Sequence, residues 1–204
     1  MKKIIFGLCL LALTSCGVKK ESTPVSQMQE SETTQGSFKA ILRPYNFNLA
    51  GWIPSGMADI KIEGDQIEIK SWLDDSANVV HGQNIHLGSR CPGVDDDTNH
   101  DGFVDLNESK KVAKEIFLPL DQDLDSLSLE DNNYPIGNFN YHETASIRSL
   151  SQKLKQNLNL SGKVIIVTGV ASNRGLPITV SQENNQTRES SIPIACGVIE
   201  RMPN

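Results

Sequence analysis

Apolar and polar residues alternate with period two over Ala58, Ile60 and Ile62 and again over Ile67 and Ile69, with Gly64-Asp65 between them. Successive strand side chains point to opposite faces, so this spacing predicts an antiparallel hairpin with one buried and one wet face. Trp72 and Leu73 extend its second strand into a core position. Upstream, Phe38 to Leu42 predicts a first strand, followed by a loop rich in Asn, Gly and Pro through Gly56. Downstream, Val79 to His86, Asn138 to Tyr141 and Ile192 to Ile199 predict further strands, and Leu118 to Leu120 reads as extended. Lys163 to Thr168 is the most apolar run, the pattern of a central strand covered on both faces. Helical spacing is confined to Asn107 to Phe117, where Val112, Ile116 and Phe117 share a face, and more weakly to Ser149 to Leu158. Asp121 to Gly137 reads as a long polar connection. Many short strands between turn-rich segments predict an all-β sandwich with one helical insertion.

Into this pattern is set a stretch with its own chemistry. From Asp97 to Glu108 the chain matches the twelve-residue calcium loop position by position, with oxygen side chains at 1, 3, 5 and 9, glycine at 6, a branched apolar residue at 8 and glutamate at 12. Calcium takes six to eight oxygen ligands. Asp97, Asn99 and Asp101 would each supply a side-chain oxygen and Phe103 its backbone carbonyl. Asp105 would bind directly or through water, and Glu108 would close the shell with two oxygens. Gly102 permits the sharp turn that wraps so short a loop around one ion. Asp95 and Asp96, just before it, add negative field without ligand roles. Asp121, Asp123 and Asp125 lack the glycine and spacing of such a loop and read as solvated. His100 falls at loop position 4, which points outward.

The amino terminus stands apart. Lys2 and Lys3 precede an apolar run from Ile4 to Leu13, the layout of a secretory signal, too short to span a bilayer. The run ends in Leu13-Thr14-Ser15-Cys16, which resembles the lipobox of bacterial lipoproteins. That resemblance implies cleavage after residue 15 and acylation of Cys16, the durable anchoring that a single acyl chain does not provide. From Gly17 to Gly36 the composition is Ser, Thr, Gln, Glu and Lys, which predicts a flexible tether. Gly17 stands where an inner-membrane retention signal would place Asp, which favours the outer membrane in a two-membrane organism. The expected organisation is therefore a signal at 1–15, a lipidated tether at 16–36, and a β-sandwich domain at 37–204 with a calcium-loop insertion at 95–117.

Charge narrows the partners. The chain carries a formal charge of -6, and no basic stripe accompanies it, which argues against nucleic acid. Without Lys2 and Lys3 the 19 basic residues become 17 against 25 acidic ones, a formal -8. Anionic headgroups should repel such a domain, leaving the lipid to do the holding. Cys9 leaves with the signal and Cys16 carries lipid. Cys91 and Cys196 remain, in a segment read as exported, where disulfides persist. Paired, they would close a loop of roughly 100 residues; two free buried thiols are the alternative.

A family resemblance rests on His81-Gly82-Gln83-Asn84-Ile85-His86, Cys91, the strand end Val167-Thr168, and Ala195-Cys196-Gly197-Val198-Ile199. In this order they resemble copper/zinc superoxide dismutase, and still more the chordin-type domains of bacterial secreted proteins. The resemblance spans roughly residues 38 to 200. It implies an eight-stranded Greek-key sandwich, a Cys91–Cys196 bridge, and a structural hydrogen-bonding role for His81. It also implies lost dismutation. Asn84 replaces the first histidine of the copper pair, Thr168 the copper histidine at the Val-His strand end, and Pro193 the arginine that guides superoxide. Copper cycling needs several imidazoles, and only His86 survives of the pair.

Two expectations follow. The first is a lipid-anchored, non-enzymatic, calcium-binding envelope module with a protein or glycan partner. The second is a metal-trafficking or redox protein keeping a reduced copper or zinc site at His81 and His86, with His142 a possible third ligand. The sequence weighs toward the first.

Overall fold

The computed structural model describes residues 35–47, 51–128, 133–180 and 187–203. The segments read as signal and tether, Cys16 included, lie outside the described residues except for Gln35 and Gly36. The expected β-sandwich is what the chain forms: among the described residues, nine antiparallel strands in a curled sheet, with two short helices and three 3-10 turns. In chain order the strands are β1 (Gly36–Pro44), β2 (Ser55–Glu63), β3 (Gln66–Asp74), β4 (Gln83–His86), β5 (Ile116–Pro119), β6 (Phe139–Ser146), β7 (Val164–Thr168), β8 (Pro193–Val198) and β9 (Glu200–Arg201). The helices are α1 (Leu106–Ala113) and α2 (Ile147–Leu154).

The strands run β5-β4-β7-β8-β1-β2-β3-β6, with β9 added beside β1. Two layers result. One holds β6, β3, β2 and most of β1; the other holds β5, β4, β7 and β8. Strand β1 belongs to both, because Gly36 to Leu42 pair with β2 while Arg43 and Pro44 pair with Cys196 and Ala195 of β8. Alternation decides which side chains go inside. Phe38, Ala40 and Leu42 of β1, Ile60 and Ile62 of β2, and Ile67, Ile69 and Leu73 of β3 all face the core with 2% exposure or less. The second layer answers with Ile85, Leu118, Ile165, Val167 and Ile194. Each fully buried aliphatic side chain contributes about 1.5 to 3 kcal/mol relative to exposure.

Strand β7 is buried at every residue, as its sequence predicts. Its inner face meets the main core. Its outer face, Val164 and Ile166, packs with Leu106 and Ala113 of α1 and with Cys196 and Cys91 in a second, smaller cluster. The insertion thus roofs the outside of the β4–β7–β8 layer. Cys91 and Cys196 are joined in a disulfide, with Cα atoms 5.8 Å apart.

Several boundaries differ from the sequence pattern. Helix α1 stops at Ala113, so Ile116 and Phe117 are strand residues of β5 and not part of a helix reaching 117. The cause lies in a distant segment. Gly88 N–H donates to the Ala113 carbonyl at 2.6 Å and Leu87 N–H to the Glu115 carbonyl at 3.0 Å, while Lys114 takes φ 62. A side chain at Gly88 would sit 2.1 Å from the Val112 carbonyl oxygen, so only glycine allows this approach. Strand β4 covers only the second half of the predicted Val79 to His86 segment; Val80 forms an isolated bridge with Ile136. The second helix starts earlier than its spacing suggests because the Ser146 hydroxyl caps it by accepting from Ser149 N–H, and it ends earlier because Lys155 turns left-handed at φ 54.

Candidate metal site

The loop from Asp97 to Glu108 links the 3-10 turn Val94–Asp96 to α1. Most of its bonds are local. The Asp97 carboxylate accepts from the N–H groups of Asp101 at 3.2 Å and Gly102 at 2.9 Å. Asn99 Oδ1 accepts from Asp101 N–H, and Asp101 Oδ1 from Phe103 N–H. Gly102 adopts φ 90, a region closed to most side chains, and its Cβ position is open space, so conformation rather than crowding selects glycine. His100 is exposed at φ 58, consistent with an outward-pointing fourth position.

The far end of the loop is also the start of α1. Asp105 is the N-cap, its Oδ1 accepting from Glu108 N–H at 3.0 Å, while Glu108 Oε2 accepts from Asp105 N–H at 3.3 Å. This reciprocal capping box satisfies two helix-terminal donors. The other oxygen of Glu108 reaches across the loop to accept from Thr98 N–H, Thr98 Oγ1 and Asn99 N–H, at 2.8 to 3.1 Å. Positions 1 and 12 are thereby turned toward the same short coil. Asp105 and Glu108 are 3% and 6% exposed, and burying two acids side by side calls for neutralisation.

Around the loop stand groups that sequence reading did not place. Asp96 is no bystander: Arg90 grips its carboxylate with two N–H donors at 2.8 and 2.9 Å, and Gly93 N–H adds a third bond. The Arg90 guanidinium holds the Asp96 carboxyl below the usual aspartate range. Burial, then the charges of Asp96, Glu108 and Asp97, push the Tyr45 phenol up, so it stays a neutral donor, here to the Gly93 carbonyl. Thr179, which is 78 residues away, donates its hydroxyl to Asp101 Oδ2. Asn46 bonds both backbone groups of Val104. A cleft of about 260 Å³ opens beside the loop, lined by Tyr45, Phe47, Val94, Asp97 and Phe103 among others.

Among the described residues, no three His, Cys, Asp or Glu side chains stand together as a set able to hold a metal ion. The acids of the loop accept mainly from its own N–H groups, and Asp101 and Glu108 also accept from the hydroxyls of Thr179 and Thr98. A calcium shell of this type also draws on the Asn99 amide oxygen and the Phe103 carbonyl, which belong to neither class. All six candidate donors are oxygens, the chemistry that a hard divalent cation takes and a soft one does not.

The histidines are placed differently. His81 is fully buried, with Nδ1 3.0 Å from the Thr168 carbonyl and Nε2 2.9 Å from the Ala77 carbonyl. Burial pushes its imidazole below the usual histidine value, and the two carbonyls partly offset that. This is a bridging role between loop and strand. His86 is buried, with Nδ1 3.0 Å from the Lys114 carbonyl beside the end of α1. His142 is exposed on β6 and pairs with Glu68 at 2.8 Å. Asn84 Oδ1 accepts from Tyr134 Oη at 2.7 Å. The three histidines are therefore each engaged with separate partners.

No protein-family model matches the chain, and no curated protein matches it either. No helix among the described residues is long and apolar enough to cross a membrane.

Proposed function

We propose that this protein is a lipid-anchored, non-enzymatic module of the bacterial cell envelope whose β-sandwich binds calcium in the loop Asp97 to Glu108. One observation carries the calcium reading. Glu108 folds back ten and nine residues to bond Thr98 and Asn99, while Asp97 receives Asp101 and Gly102, so first and last ligand positions close one coil. Asp97, Asn99, Asp101, Phe103, Asp105 and Glu108 would hold the ion, which supplies positive charge to a loop dominated by acids. At roughly millimolar extracellular calcium, a site of roughly 0.1 to 1 mM affinity is between about half and about nine-tenths filled, so the ion acts as a structural part and not as a sensor.

The eight-strand path and the Cys91–Cys196 bridge support the resemblance to chordin-type and superoxide dismutase-like domains. The engagement of Asn84, His81 and His86 with polar protein groups supports the reading that redox metal chemistry is lost. Geometry also bears on orientation. Gln35 and Gly64 exchange two hydrogen bonds, so the tether would meet the sandwich at the β2–β3 turn. The calcium loop lies past the other end of β1, roughly 30 Å away at about 3.3 Å per residue. The reading puts the anchor at Cys16, in the outer membrane if the organism has two membranes, and expects a protein or glycan partner.

The test is a thermal melt of the purified chain with calcium and with EDTA, alongside metal analysis by mass spectrometry. The reading expects bound calcium and a lower Tm after chelation. An unchanged midpoint with no calcium detected would overturn it.

A further inference from the structure

The geometry points to Asn46 as a positioning residue for the calcium site, aiming the one ligand that is a backbone carbonyl. This rests on the calcium reading above, and it concerns a residue 58 positions away in sequence, outside the loop.

The argument begins with the peptide group. A trans peptide is planar, and its N–H and C=O point in opposite directions. The carbonyl of Phe103, loop position 7, shares its peptide plane with the N–H of Val104. That N–H donates to Asn46 Oδ1 at 3.1 Å. Holding the N–H outward toward Asn46 turns the Phe103 oxygen the other way, toward the loop side of the chain. The other ligands are side chains with rotamers of their own. Only this one depends wholly on the direction of a peptide plane.

Asn46 is itself held. Its Nδ2 donates to the Val104 carbonyl at 3.0 Å and to the Pro193 carbonyl at 2.9 Å. The amide thus closes a two-bond ring with the backbone of Val104 and ties that ring to the first residue of β8. Tyr45 N–H, one residue earlier, donates to the Ile194 carbonyl at 2.7 Å. Asn46 sits at φ 47, a left-handed conformation that asparagine tolerates better than most residues. Its conformation and its three bonds together fix one peptide of the loop against the rigid β1–β8 seam. No other side chain outside the loop bonds the Phe103–Val104 peptide among the described residues.

The decisive variant is Asn46→Gly, which keeps the backbone conformation accessible and deletes the amide. The full chain, stripped of metal, is titrated with calcium, and then with terbium, whose excited-state lifetimes in H2O and D2O count the waters on the ion. Removing residues that orient metal ligands costs 10- to 100-fold in affinity in metalloproteins generally, so calcium binding should weaken by about tenfold or more. Terbium should gain about one water as the position-7 carbonyl swings away. A variant that melts lower but keeps wild-type affinity and water count would reduce Asn46 to a fold staple and overturn the proposal. If Asn46→Gly fails to fold, Asn46→Asp serves, since it keeps the acceptor for Val104 N–H and loses both donated bonds. It should retain the wild-type water count, and a gained water there would equally overturn the proposal. Wild-type protein that binds neither ion would sink the calcium reading itself, a result distinct from either variant's.

Discussion

Substituting Glu108→Gln separates what the loop owes to its own hydrogen bonds from what it owes to an ion. Glu108 Oε1 accepts three bonds from Thr98 and Asn99, and Oε2 accepts one from Asp105 N–H. Glutamine keeps one carbonyl oxygen for the first three, at neutral rather than charge-assisted strength. Its NH2 then faces the Asp105 N–H, donor against donor. Losing one bond and weakening the others costs about 1 to 3 kcal/mol without metal. An ion adds a second, separable cost. At roughly 1 mM calcium and a dissociation constant of roughly 0.1 mM, binding stabilises the fold by about 1.4 kcal/mol. For a chain of this size each kcal/mol moves Tm by about 2 to 4 °C, so calcium should raise wild-type Tm by about 3 to 6 °C. The variant, lacking its two-oxygen closing ligand, should show almost no such rise. Four melts by circular dichroism suffice: each protein in calcium and in EDTA. An equal calcium-induced rise in both proteins would refute the assignment of Glu108 as the closing ligand.

Other expectations are narrower. Replacing both Cys91 and Cys196 with alanine opens a bridge between residues 105 apart, which the chain-entropy model values at about 4 to 5 kcal/mol; a urea midpoint unchanged from wild type would contradict it. Asp121 is 1% exposed, its Oδ2 has no hydrogen-bond partner among the described residues, and burial raises its pKa above the usual aspartate value. The folded state therefore keeps a proton that the unfolded chain releases, and stability from this group falls as pH rises from the ordinary value of about 3.9 through the raised one. Asp121→Asn removes that titration, so its urea midpoint should gain on wild type as pH rises above about 4, whereas a constant gap would disprove the assignment. Copper-loaded protein should not consume superoxide, and measurable turnover would revive a redox role for His86.

What the chain encodes locally, it encodes legibly. The β2–β3 hairpin is written in its period-two isoleucines and Gly64-Asp65, and β7 in an unbroken apolar run. The six candidate ligands fall within twelve residues, where spacing along the backbone nearly sets position in space. The family pattern pointed to the Cys91–Cys196 bridge, which residue spacing alone left open. Contacts between distant segments were not readable in this way. Helix α1 ends at Ala113 because Gly88 and Leu87 take the carbonyls of Ala113 and Glu115, and nothing in the apolar spacing of Val112, Ile116 and Phe117 announces that competition. Asp96 looked like idle charge until folding brought the Arg90 fork onto it. Asn46 and Thr179 reach the loop from 58 and 78 residues away, one asparagine and one threonine among many in turn-rich segments. Periodicity describes how a segment meets its immediate neighbours. Which side chain lies across from which, once two layers close, depends on all the strands together, and only the assembled fold decides it.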